Sequence, residues 1–529
     1  MNATQITYRP ISLKLKVMHV VRLTVAAIAR LFFRLYYGKK GERVPPITDD
    51  ILKVPAIEVA KKIRNKEITS VEVLQACITR IKNVNSILNC FVEDRFELAM
   101  KEAREADELI RSGTKTSEQL ASEKPFLGVP FTTKDSISVK GLHQTAGVVL
   151  RKDFIAEEDA KCISLLKEKG AIIIGLTNVP ELCMWWETHN HIFGRTNNPY
   201  NTTRIVGGSS GGEACLQAVG GSCFGIGSDI GGSIRMPAYF NGIFGHKSSK
   251  FVVSNDGQYP DTESELHDSF LSIGPMTRFA VDLKPILKIL SGENASKLNL
   301  DEPVDIRKIK FFYQISNDAP IVDPVDVDII TAMKKVVEYL KVQHQIIAEG
   351  KKIKQLQKSI AIWLSTMKSD KLFGEFIMKK DTVGLILLEM VKNLFGLSGN
   401  TFVGLVVSLI DHGGISVGDE RHHHFLKSRE NLEKTFIDML GDNGVFLYPT
   451  HPTPAPYHNE PIVKLYNFSY TAIINSLGLP ATTIPLGLSK EGLPIGLQVV
   501  ANHNQDRLCL AVAEELEKAF GGWIEPQKA

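Results

Sequence analysis

The hydrophobic pattern of this 529-residue chain changes period several times, and each change marks an element. Behind Thr69-Ser-Val-Glu72, apolar Val73, Leu74, Cys77, Ile78 and Ile81 recur at helical spacing. Thr69 and Glu72 can cap each other's free backbone amides, so the pattern predicts a helix start with that stripe facing the core. Residues 160–169 and 213–219 also read as helices, whereas the short apolar runs 171–176 and 222–226 read as strands. Strand-like runs return at 445–448, 481–485 and 496–500, and 506–520 closes the chain as a helix. Alternation of this kind predicts an α/β layered fold in which the late strands complete the first sheet.

Two stretches depart from that pattern. At 17–37, Lys16, His19, Arg22, Arg30 and Arg34 fall within one arc of about 120° at about 100° per residue. Val17, Val20, Val21, Val25, Ile28, Leu31, Phe32 and Leu35 lie opposite. Arginines near a bilayer centre cost about 2.5–3.5 kcal/mol each, which argues against a clean span. Residues 1–44 are therefore expected to be a basic amphipathic segment lying in a membrane interface, its cations among anionic headgroups. A tilted signal anchor and a targeting peptide are the other readings. The remaining 45–525 follow Pro45-Pro46 without an evident linker and are expected to form one large domain. Within them, 382–411 holds two apolar halves around a Gly-Leu-Ser-Gly turn, each too short to cross a bilayer. They read either as two buried core helices or as a helical hairpin dipping into one leaflet.

Composition narrows the function. With 62 basic and 59 acidic residues the net charge is +3, too slight to argue for a nucleic-acid partner. Seven cysteines without Cys-x-x-Cys spacing give neither a disulfide framework nor a zinc site. His422-His-His424 and the pair His189 and His191 lack accompanying ligand spacing and read as solvated histidines, so no metal is expected.

Candidate chemistry gathers in two glycine-rich runs, Gly207-Gly-Ser209-Ser-Gly-Gly212 and Asp229-Ile-Gly-Gly-Ser233-Ile-Arg235. Upstream, the apolar run 126–131 leads into Thr132-Thr-Lys134-Asp-Ser136. Hydroxyls among residues without a Cβ can be approached closely by substrate and by backbone donors, as a nucleophile and an oxyanion hole require. Gly207-Gly-Ser209-Ser-Gly211 also fits Gly-x-Ser-x-Gly, a nucleophile elbow in which Ser209 itself would attack. A P-loop fails because His246 interrupts the Gly-Lys step, and a dinucleotide fingerprint fails at Ile230.

Together these runs resemble the amidase signature family, whose members hydrolyse amides with a Ser-Ser-Lys triad. The resemblance covers about residues 50–525, and Glu181-Leu-Cys-Met-Trp-Trp-Glu187 and Met236–Lys247 are most similar to its fatty-acid amide hydrolases. It implies a central mixed twisted sheet surrounded by helices. Carried over by position, it implies Lys134 as base, Ser209 as a bridging serine after a cis peptide, and Ser233 as nucleophile. The backbone amides of Ile230, Gly231, Gly232 and Ser233 would form the oxyanion hole, Asp229 and Arg235 would fix the loop, and Met184 and Trp185 would touch substrate. No cofactor is implied. The expected substrate is a fatty-acid primary amide or N-acyl amine, with a small or aromatic amide as the alternative. The expected partners are that substrate and a membrane surface, a homodimer being open. The expected location is an intracellular membrane, such as the endoplasmic reticulum or a lipid droplet. Lys134 can act as a base only as a neutral amine, which burial behind the apolar run would favour.

Overall fold

A computed structural model of the protein describes residues 13–38, 41–262, 264–368, 371–413 and 415–526, with side chains from Val20 onward. The capping box at Thr69 starts the Ser70–Leu88 helix, whose Val73, Leu74, Cys77, Ile78 and Ile81 are all buried. Each such side chain contributes about 1.5–3 kcal/mol when fully removed from water.

An 11-stranded mixed sheet forms the centre. From one edge its strands run Phe91–Asp94, Ile172–Thr177, Pro130–Lys134, Phe224–Asp229, Ser272–Thr277 and Phe244–Lys247. It continues through Ala481–Leu488, Pro494–Ala501, Gly444–Pro449, Lys310–Tyr313 and Glu349–Gly350. The late strands thus join the early ones, because Ala481–Leu488 pairs antiparallel with Phe244–Lys247. Pro130–Lys134 and Phe224–Asp229 are parallel neighbours, with Phe131 opposite Phe224 and Thr133 opposite Ile226. Their carboxyl ends therefore coincide, the place where open α/β sheets present ligand sites. Helices cover both faces, among them Asp506–Phe520, which packs on Ala481–Leu488.

The N-terminal helix, Leu13–Tyr37, turns the expected orientation round. Arg22 donates to Asp323 Oδ1 at 2.6 Å and to the Val322 carbonyl at 2.7 Å, and Arg30 donates to Glu491 at 3.0 Å. Two of the cations expected among headgroups are thus engaged by Asp323, Val322 and Glu491. The apolar side faces outward, with Ile28 63%, Phe32 60% and Leu35 78% exposed. Lys16, Val17 and His19 lie outside the described side chains. No helix among the described residues is long and apolar enough to cross a membrane.

The 382–411 stretch forms two packed helices, Val383–Leu394 and Phe402–His412, capped by Thr382 and Thr401. They are not buried core helices. Ile386 and Leu405 face inward, while Leu394, Phe395 and Leu397 are 76%, 73% and 74% exposed. The alternation of apolar residues there is too dense for sequence alone to tell an inner face from an outer one.

Candidate active site

Lys134 ends its strand wholly buried, and the parallel register sets it beside the end of Phe224–Asp229. Its Nζ donates to Ser209 Oγ at 2.8 Å and to Ser228 Oγ at 3.0 Å. Burial pushes the ammonium pKa below its ordinary value, with neighbouring Cys183 and Asp229 opposing that shift. A neutral amine is thereby brought closer to neutral pH.

Ser209 follows a cis Gly208–Ser209 peptide. A Cβ on Gly208 would lie 2.4 Å from the Trp185 carbonyl oxygen, and Gly207 sits at φ +84°, so both positions require glycine. Ser233 lies in the turn between Phe224–Asp229 and the Arg235–Phe240 helix. The Ser210 amide donates to the Ser233 carbonyl at 3.1 Å and draws the two glycine-rich runs together. Among the described residues, no protein group is hydrogen-bonded to the Ser233 hydroxyl, which faces a cavity.

The carboxylate of Asp229 pins that turn. It accepts the Gly232 N–H at 2.6 Å, the Ile234 N–H at 3.2 Å and the Arg235 N–H at 3.3 Å. Arg235 Nε and Nη2 reach the two carboxylate oxygens at 3.0 and 3.1 Å, both side chains being fully buried. Burial alone would raise the Asp229 carboxyl, but the Arg235 guanidinium and Asn475 hold it well below the usual carboxylate range. Of the expected oxyanion set, the Gly232 amide donates to Asp229 and helps hold the loop. The N–H groups of Ile230, Gly231 and Ser233 are bonded to no protein acceptor among the described residues.

Residues 72–510 match the family model described as amidase. The chain belongs to the amidase family. It is similar to fatty-acid amide hydrolase 2-B of Danio rerio, 44% identical over 521 residues spanning 97% of this chain and 98% of the relative. It is also similar to fatty-acid amide hydrolase 2 of Homo sapiens, 41% identical over 525 residues and 98% of each chain. A solved structure described as fatty acid amide hydrolase has the same fold at a TM-score of 0.71 and 24% identity, covering 89% of this chain and 86% of that one. The protein is thus an amide-hydrolysing enzyme with the central mixed sheet of the amidases.

In this amidase a cavity of about 620 Å³ meets both serines. Leu182, Cys183, Met184, Ile230, Trp363, Phe373, Phe376 and Val407 line it, with Lys368, Asp411 and Arg421 among the charged groups present. Trp185 does not line it. Its carbonyl abuts Gly208, and the residue borders a separate cavity of about 30 Å³ beside Glu187 and Arg195.

Sequence reasoning missed Ser228, Trp363 and Glu181. Ser228 directly precedes Asp229, and only the strand register reveals that it meets Lys134. Buried Glu181 accepts the Thr401 N–H at 2.9 Å and the Thr401 hydroxyl at 2.7 Å, fastening the apolar hairpin to the loop that carries Met184.

Proposed function

We propose that this amidase is a membrane-associated serine hydrolase that cleaves fatty-acid amides, whether primary amides or N-acyl amines, to the free acid and amine. The observation that carries the reading is the 2.8 Å hydrogen bond from a wholly buried Lys134 to Ser209, at the wall of a largely apolar cavity that also meets Ser233. A cavity of about this size, lined by apolar side chains with a few convergent polar groups, suits an acyl chain ending in one reactive carbonyl. The names of the relatives from Danio rerio and Homo sapiens agree with that substrate class.

Neutral Lys134 accepts a proton from the Ser209 hydroxyl, which in turn accepts the proton of Ser233 as its Oγ attacks the amide carbon. The carbonyl π pair moves onto oxygen, where the open amides of Ile230, Gly231 and Ser233 stabilise it. The proton returns through Ser209 to the departing nitrogen, the C–N bond breaks, and water releases the acid from the acyl-enzyme by the same path. Asp229 and Arg235 keep the loop in place without touching substrate.

The outward apolar faces of the N-terminal helix and of the hairpin support membrane association, since contiguous exposed apolar surface is costly in water. Hydrolysis of primary amides from two to eighteen carbons, with Ser233→Ala and Lys134→Ala in parallel, tests the reading. kcat/KM should rise with chain length and vanish in both variants. Turnover confined to short or aromatic amides would make the enzyme a general amidase instead.

A further inference from the structure

Trp363 stands 130 positions beyond the oxyanion turn, on the Ser359–Thr366 helix, yet its Nε1–H donates to the Ile230 carbonyl at 3.0 Å. In a trans peptide the carbonyl and the following N–H point in opposite directions across one plane. Whatever holds the Ile230 carbonyl therefore aims the Gly231 N–H. The indole also packs against Gly231, where an added Cβ would meet ring atoms at 3.2–3.4 Å. Phe468 braces the indole edge-on, with ring centroids 5.1 Å apart at 83°. On the next peptide, Thr471 Oγ1 donates to the Gly231 carbonyl at 2.8 Å, but the amide it aims is that of Gly232, already taken by Asp229. Of these two peptide planes, the one ending in an open N–H is held by Trp363.

We infer that Trp363 is a positioning residue for the oxyanion hole, fixing the Gly231 amide toward the substrate carbonyl and strengthening it as a donor. Hydrogen bonds in series polarise one another, so donation into the Ile230 carbonyl makes the opposite N–H more acidic. The same indole lines the cavity. Just beyond its helix Lys368 donates to the Asp411 carbonyl and carboxylate at 2.6 and 2.7 Å, tying this wall to the apolar hairpin. An acyl chain filling the cavity thus packs against the element that aims the oxyanion donor. The inference rests on the amidase reading of Ser233 proposed above.

The test replaces Trp363 by Phe and, separately, by benzothienylalanine, which keeps the bicyclic shape and exchanges only N–H for sulfur. Active sites are counted with a fluorophosphonate, so that misfolded protein does not enter the rates. Loss of one such hydrogen bond predicts a kcat per active site about three- to tenfold lower with KM within twofold. The inhibition constant of a long-chain trifluoromethyl ketone, which becomes tetrahedral on Ser233, should rise by the same factor. Unchanged kcat and inhibition constant overturn the inference, as does a change in KM alone or a loss only in the number of active sites. Should the wild-type protein hydrolyse no amide, the amidase reading of Ser233 falls and takes the inference with it. An active wild type beside unaltered variants refutes the inference alone.

Discussion

Ser228→Ala isolates the lysine's second hydrogen bond. A neutral amine has one lone pair and two N–H groups, and the relay needs the lone pair to face the Ser209 hydroxyl. One N–H must then be accepted elsewhere, and Ser228 Oγ lies 3.0 Å from Nζ. Lys134 is wholly buried, so the orphaned N–H stays desolvated at a cost of about 1–3 kcal/mol. Part of that cost falls on the ground state, which leaves an expected drop in kcat of about tenfold, or about 1.4 kcal/mol. The acid limb of the pH–rate profile has a definite sign. Ser228 as acceptor stabilises the ammonium more than the neutral amine, so its removal lowers the Lys134 pKa further. Activity requires the neutral form, and the limb should move to lower pH by roughly half a unit to one unit, each unit being 1.36 kcal/mol. Steady-state kinetics on a water-soluble amide across the acid limb measure both effects. A limb that moves to higher pH, or an unchanged kcat, would refute the assignment of Ser228 as the acceptor.

Gly208→Ala should abolish turnover and lower stability by about 1–3 kcal/mol, because the new methyl meets the Trp185 carbonyl at 2.4 Å; calorimetry and kinetics check both. Glu181 is buried, and burial pushes its carboxyl up to about 7. Because the folded pKa is raised, its contribution to stability is full below about 4.5 and is lost as pH rises through about 7. Glu181→Gln should flatten that slope, gaining roughly 1–3 kcal/mol over wild type at pH 8 in chemical denaturation, and equal slopes would be the contrary result. Combined Leu394→Glu, Phe395→Glu and Leu397→Glu should abolish co-sedimentation with vesicles, since each buried apolar side chain contributes about 1.5–3 kcal/mol. Short-amide turnover should stay within twofold, and undiminished vesicle binding would remove the hairpin from the membrane account.

Periodicity alone located the helix Asp506–Phe520 and the strands around 172–177 and 444–449, where pattern and burial agree. The two glycine-rich runs were legible as a candidate site, and in the structure Gly207 and Gly208 admit the close backbone packing of Pro237 and Trp185. Features that depend on long-range register were hidden. Ser228 meets Lys134 across a parallel ladder, and Trp363 reaches Ile230 from the distant Ser359–Thr366 helix. Trp185 sits beside the cavity-lining Met184, but the contact that the structure gives it is through its backbone carbonyl, against the glycine turn. In the N-terminal helix the two faces were legible, but not that Asp323 and Glu491 would capture Arg22 and Arg30.

The central claim is that Ser233 attacks and Lys134 draws its proton through Ser209. Labelling the purified protein with a long-chain fluorophosphonate and mapping the adduct by peptide mass spectrometry addresses it most directly. The account predicts a single adduct on Ser233, formed at least a hundredfold more slowly in Lys134→Ala, consistent with general-base catalysis of about 10²–10⁴. An adduct on Ser209, the serine of Gly-x-Ser-x-Gly, or labelling indifferent to Lys134, would contradict it.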